Sequence, residues 1–242
     1  PDSVSADNLK VIEEKNATVD WSTGEEGLVT NNRKVTAAYT SDDKGNKTTK
    51  ASNYITIEMY VSPNDGSPFI YRLSTGRINL ASGATLTAGD ETINDLDIEQ
   101  DIDVEKEGKI SPQLDKWTQK SYKAVDGINY SYAEYKPAKD NKKNALVIWL
   151  HGAGEGGTDT SIDLLANEVT AFAGEQFQKD MNDAYVIAPQ CPTMWMDGGN
   201  GEYQNGEKGS IYAKGLFDLI DTYVKNNPDV DTNRIYIGGC SN

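Results

Sequence analysis

The clearest chemistry in this sequence lies in the run Gly239-Cys240-Ser241-Asn242. It supplies four of the five positions of G-x-S-x-G and lacks only the closing glycine. In that pattern the serine occupies a strained turn between a strand and a helix, with its hydroxyl held clear of the sheet where a base can reach it. The positions two before and two after the serine must be small, because the turn brings backbone against backbone. Ser241 is therefore the candidate nucleophile, and the chemistry it suggests is attack on an acyl carbonyl. A serine hydroxyl is barely nucleophilic without a base. The sequence holds one histidine, His151, and it lies in a glycine-rich loop, where ordering the loop through backbone hydrogen bonds suits it better than general-base work.

A serine so placed needs buried strands beneath it. Arg234 to Ile237 reads as a short buried strand running into the turn. Ala145-Leu146-Val147-Ile148-Trp149-Leu150 is apolar throughout, as expected of a parallel strand covered on both faces, and His151 to Gly157 follows it. Tyr185 to Ala188 is the next buried strand, closed by Pro189-Gln190-Cys191-Pro192. Between these strands, Ser161 to Met181 has helical spacing through Ile162, Leu165, Val169 and Phe172. Ser210 to Asn226 is a second helix, stopped by Asn227-Pro228. Ser121 to Val125 and Asn129 to Tyr135 flank Asp126-Gly127, a hairpin signal. Strand, helix, strand, helix, strand describes an open, mostly parallel sheet with helices on both faces and an antiparallel hairpin at one edge. Met194, Trp195 and Met196 lie just past a strand's carboxyl end, where ligands bind in such sheets; they are pocket wall or plain core. Glu155 is expected to hold its loop rather than touch substrate, and Gln190 and Cys191 to shape the top edge of the sheet.

Residues 1–108 follow a different grammar and read as an all-β domain, with 109–242 as the α/β domain. Tyr54 to Val61 alternates with the two-residue period of a half-buried strand, Ser62 to Pro68 is a turn cluster, and Phe69 to Leu73 returns. Lys34 to Tyr39, Arg77 to Leu80, Ala84 to Leu86 and Ile98 to Val104 are further strand candidates. Together they suggest a small sandwich. The acidic stretch Asp90 to Glu107 lacks the spacing of a calcium loop and reads as a solvated edge. The first twenty residues are polar and fit a linker behind a removed export signal, which would make the protein secreted or displayed on a bacterial surface.

Composition narrows the function. Against 23 Lys and Arg stand 38 Asp and Glu, a formal net charge of -15. That charge argues against a nucleic-acid surface, which needs clustered cations, and against adsorption to anionic lipid. The longest apolar run is too short to span a bilayer. No cofactor or metal motif is present. Cys191 and Cys240 would end strands separated by a third, about 10 Å apart, beyond the reach of a disulfide. Two free thiols are expected, Cys240 as buried packing.

The motifs Trp149-Leu150-His151-Gly152-Ala153-Gly154-Glu155, Ala188-Pro189-Gln190-Cys191-Pro192 and Gly239-Cys240-Ser241-Asn242, in this order, resemble the α/β-hydrolase family. The nearer likeness is to bacterial carboxylesterases related to polyhydroxybutyrate depolymerases and prolyl-oligopeptidase-type hydrolases, some of which carry an N-terminal immunoglobulin-like domain. The resemblance covers roughly residues 115 to 242. It implies a serine esterase working through an acyl-enzyme on Ser241. The oxyanion would be held by the backbone N–H of Asn242 and of Ala153 or Gly154. The triad acid and histidine follow the nucleophile in this family. The expectation is therefore one piece of a longer polypeptide, the remainder of the hydrolase domain being a continuation or a second fragment. Asp197, which precedes the serine, does not fit the triad acid.

The substrate expected is a small-molecule or polysaccharide-linked ester. A peptidase or acyltransferase on the same sheet, and a non-catalytic carbohydrate-binding or scaffold protein, are the rival readings. The β domain would contact another subunit, as in a homo-oligomer, or roof the active site.

Overall fold

The computed structural model describes residues 4–60, 69–72, 77–80, 84–88, 102–104, 111–201, 203 and 209–241. The chain divides into two compact units, Pro1–Thr75 with Asn79–Ile110, and Ser111–Asn242 with Gly76–Ile78.

The first unit is built of strands β1 (Leu9–Asp20), β2 (Glu25–Arg33), β3 (Val35–Ser41), β4 (Tyr54–Met59), β5 (Phe69–Arg72), β6 (Arg77–Leu80), β7 (Ala84–Ala88) and β8 (Ile102–Val104). They form a four-stranded sheet in the order β2-β1-β7-β8 and two two-stranded sheets, the antiparallel pair β3-β4 and the pair β5-β6. Leu9 and Val11 of β1 pack with Val35, Ala38, Ile55, Ile57 and Met59 of β3 and β4, giving the sandwich its core. The turn cluster expected at Ser62 to Pro68 lies outside the described residues, as does most of the acidic stretch.

β1 corrects the reading of the first twenty residues as a linker. It is a 12-residue strand paired to β2 from Val11↔Arg33 to Asp20↔Glu25. Leu9, Val11 and Glu13 point inward, and Glu13 is buried in the sandwich with two cations: Arg33 at 2.6 Å and Lys15 at 2.7 Å. A buried carboxylate is tolerated only when paired in this way. The alternation was hidden because an inward position carries an acid and the outward positions are charged as well.

The second unit is a five-stranded sheet in the order β13-β11-β12-β10-β9. Its strands are β9 (Thr118–Lys123), β10 (Asn129–Tyr135), β11 (Asn144–Leu150), β12 (Tyr185–Gln190) and β13 (Val230–Gly239). β11 pairs in parallel with both β12 and β13, while β10 is antiparallel to β12 and to β9. The β9-β10 hairpin turns at Asp126-Gly127, with Gly127 at φ +83°, a conformation that glycine adopts without penalty.

Helix α3 (Ala213–Asn226) covers one face through Leu219, Ile220 and Tyr223, which pack on Tyr130, Leu146, Ile148 and Ile187. The other face is covered by α1 (Thr160–Ala166), a 3-10 segment Val169–Ala173 and α2 (Glu175–Met181). The single helix expected over Ser161 to Met181 is thus three pieces. Asn167 ends α1, Glu168 takes a left-handed φ of 54°, and Gly174 starts α2.

Candidate active site

Ser241 stands at the end of β13, and the strand below explains its backbone. The N–H of Cys240 donates to the carbonyl of Leu150 at 3.1 Å, so pairing with β11 continues to the residue before the serine. A Cβ at Gly239 would meet that same carbonyl oxygen at 2.7 Å, which excludes any larger residue. The chain then turns abruptly. Ser241 has φ of 60°, the left-handed region, which costs a non-glycine residue about 1–3 kcal/mol and recurs at functional turns. Its side chain is exposed. Asn242, expected to supply one oxyanion amide, lies outside the described residues.

Opposite Ser241 is the loop that leaves β11. Its Gly152 lies against the serine turn: a Cβ there would be 3.6 Å from Cβ of Ser241 and 3.4 Å from the carbonyl oxygen of Cys240. Ala153–Glu155 forms one 3-10 turn. The Glu155 N–H donates to the Gly152 carbonyl at 3.1 Å, closing the turn. The first N–H groups of a helical turn have no acceptor inside it. Within the described residues, no acceptor meets the N–H of Ala153 or Gly154. Ala153 is exposed and Gly154 half-buried, and neither lines the recess described below.

His151 is fully buried. Its Nδ1 hydrogen goes to the Gly152 carbonyl at 2.7 Å, and its Nε2 accepts the N–H of Cys191 at 3.1 Å. Burial pushes its pKa down to about 4, against the opposing pull of the Gly152 carbonyl. At neutral pH it is an uncharged tie between the ends of β11 and β12. Cys191 is also fully buried, and burial pushes its thiol well up. Cys240 is only partly buried, contrary to the expectation of a packed interior thiol, because it sits on the edge strand; both cysteines are free.

The segment after β12 passes under the same site. Asp197 is buried and acts as its anchor. Its Oδ2 accepts from Thr193 Oγ1 at 2.6 Å, and its Oδ1 from the amides of Gly199 at 2.7 Å and Gly201 at 2.9 Å. Burial alone would raise its pKa, but these hydrogen bonds and that of Asn200 outweigh it and hold the carboxyl low. An acid so fully engaged with its own loop is not a partner for a histidine. Trp195 is buried between Tyr130, Tyr212 and His151, with ring centroids 5.5–6.3 Å away.

A recess of about 330 Å³ opens beside the serine, lined among others by Leu150, His151, Trp195, Ile237, Cys240 and Ser241. The expected wall residue Trp195 is thus part of it. Met194 and Met196 are half-buried and do not line it.

Two features were not legible as roles in the sequence. Asn167 reaches back to Glu155, and Gln190 donates to the Glu155 and Asp159 carbonyls at 2.7 and 3.1 Å. Asp163 of α1 is completely buried, with burial and then the charge of Glu155 raising its pKa well above the carboxylate range. A glutamate within the glycine-rich loop was the only signal for this group. Among the described residues no cluster of His, Cys, Asp or Glu side chains could hold a metal ion, and no helix is long and apolar enough to cross a membrane.

Comparison with known proteins adds the following. The esterase Ig-like N-terminal domain family matches residues 1–131. Among solved structures, a thermostable esterase is similar over 98% of this chain at 20% identity, with a TM-score of 0.64. The chain spans 62% of that esterase's length. Esterase 2 of the Planctomycetes species Thermogutta terrifontis is 18% identical over 54% of this chain and 42% of its own, with a TM-score of 0.33. The acylaminoacyl peptidase of Pyrococcus horikoshii is 14% identical over 66% of this chain and 24% of its own, with a TM-score of 0.32. No curated protein matches. The fold is an immunoglobulin-like domain followed by the mixed sheet and helices that begin an α/β-hydrolase.

Proposed function

Because the chain belongs to the family defined by the esterase Ig-like N-terminal domain, we propose that it carries the nucleophile half of a serine hydrolase that cleaves a carboxylic ester. Ser241 Oγ attacks the acyl carbonyl carbon while a base takes its proton. The carbonyl oxygen becomes an oxyanion, which the N–H groups of Ala153 or Gly154 and of Asn242 receive. The alcohol leaves, protonated by the same base; water, deprotonated by that base, then attacks the acyl carbon, the bond to Ser241 Oγ breaks, and the carboxylic acid departs as the serine recovers its proton.

The base is not His151, whose two ring nitrogens are engaged with Gly152 and Cys191. The proposal takes the histidine and its acid from residues beyond Asn242, following the chain order of the family. Leu150 and Ile237 give the recess an apolar side suited to an acyl or alkyl group.

The observation that carries this reading is the left-handed turn at Ser241 packed against Gly152, next to two uncommitted amides. The test is turnover of p-nitrophenyl acyl esters and of peptide anilides by the full-length protein. Ester hydrolysis that falls by about 10³-fold or more in Ser241→Ala is expected. Turnover of anilides in preference to esters would make it a peptidase. Ester turnover that survives Ser241→Ala would overturn the reading.

A further inference from the structure

We infer that Glu155 is a positioning residue that fixes the loop amide, of Ala153 or Gly154, offered to the oxyanion, and that Asn167 is the donor that orients it; the inference rests on the serine-hydrolase reading above. The oxyanion loop must hold its amides still, because preorganised donors accelerate acyl transfer only when they need no reorganisation during the reaction.

The loop is pinned at one residue. The N–H of Gly152 donates to Glu155 Oε2 at 2.6 Å. Its carbonyl takes the Nδ1 hydrogen of His151 at 2.7 Å and the N–H of Glu155 at 3.1 Å. Gly152 is the residue that lies against Ser241, and the free amides of Ala153 and Gly154 follow it directly. Fixing the Gly152 carbonyl fixes the direction of the Ala153 N–H, which shares its peptide plane, and the 3-10 turn Ala153–Glu155 carries the Gly154 N–H with it.

Glu155 is itself held. Its side chain is 2% exposed, and its second oxygen, Oε1, accepts from Asn167 Nδ2 at 2.6 Å. Gln190 Nε2 donates to its main-chain carbonyl at 2.7 Å. Burial raises the Glu155 pKa, and the bonds from Gly152 and Asn167 pull it back towards the charged form. The group is not part of the recess lining and its carboxylate oxygens are bonded to Gly152 and Asn167, so it acts through the loop. A second contact tightens the same loop against the segment after β12: a Cβ at Gly156 would lie 1.6 Å from the Thr193 carbonyl oxygen.

The test is a double-mutant cycle in the full-length protein, with active sites titrated by a fluorophosphonate so that unfolded enzyme is not counted. Glu155→Gln keeps the shape but sets an amide donor against the Asn167 donor, and Asn167→Asp sets a carboxylate against Glu155. Each single variant is expected to lose at least tenfold in kcat per titrated site with KM changed less than threefold. The pair Glu155→Gln with Asn167→Asp restores one donor and one acceptor with reversed polarity, and should recover most of kcat. Single variants with unchanged kcat per site, or a double variant no better than the worse single, would overturn the positioning role. Absence of fluorophosphonate labelling and of ester turnover in the unmodified protein would instead sink the serine-hydrolase reading beneath it, and the positioning role with it.

Discussion

At the scale of single residues, the site is organised by polar groups that are buried and committed rather than exposed and reactive. His151 is the plainest case. As a neutral imidazole it donates from Nδ1 and accepts at Nε2, and its buried position holds the pKa near 4, below the 6.5 of a free histidine. Between those values the unfolded chain binds a proton that the folded chain does not, so stability falls as pH drops through this window. The loss approaches about 3 kcal/mol below pH 4. Urea midpoints of the full-length protein between pH 7 and pH 4 should show it, and the decline should be shallower in His151→Gln, which titrates at neither end. Equal slopes would mean that His151 is protonated in the folded state. Ser241 is the opposite case: exposed, in a costly left-handed turn, and bounded by a glycine that cannot carry a side chain.

At the scale of elements, strands β10, β11 and β12 were legible in the sequence to within a residue or two, because buried parallel strands are continuous apolar runs and the hairpin carries its own turn signal. β13 was legible in its apolar centre, Ile235 to Ile237, but it is not the buried strand expected there, since Tyr236 and Ile237 are exposed at the end of the sheet order, and it begins earlier, at Val230, in residues too polar to show it. The helix expected over Ser161 to Met181 hid its breaks, because a 3-10 turn through Val169–Ala173 keeps nearly the same three-to-four spacing of Ile162, Leu165, Val169 and Phe172. β1 was hidden by an inward-facing Glu13, legible only once its partner Arg33 is seen across the strand pair. Of the candidate site, the serine and its facing loop were visible as motifs, and Glu155 was legible as a residue that holds its loop, as its bond from Gly152 shows; its partners Asn167 and Gln190 were not, since no local spacing joins residues 12 to 35 apart. Close packing of elements also leaves a testable mark. Gly215 of α3 sits where the hairpin docks: a Cβ there would lie 2.1 Å from Asp126 Oδ2 and 2.4 Å from Tyr130 Oη. Gly215→Ala gains about 1 kcal/mol of helix propensity but forces apart a buried contact at about 1–3 kcal/mol. A net loss of up to about 2 kcal/mol by chemical denaturation is expected, and a stabilised variant would show that α3 stands off the hairpin.

At the scale of the whole molecule, each unit has its own core, and the residues named for the proposed chemistry, Ser241, Ala153 and Gly154, lie in the second. The claim on which the account turns is that Ser241 and the amides of Ala153 and Gly154 face a common reacting centre. The most direct measurement is a crystal structure of the full-length protein after reaction with a fluorophosphonate. The account predicts phosphorus bonded to Ser241 Oγ, with its free oxygen about 3 Å from the N of Ala153 or Gly154. Phosphorus on another residue, or an oxygen turned to solvent away from that loop, would contradict it.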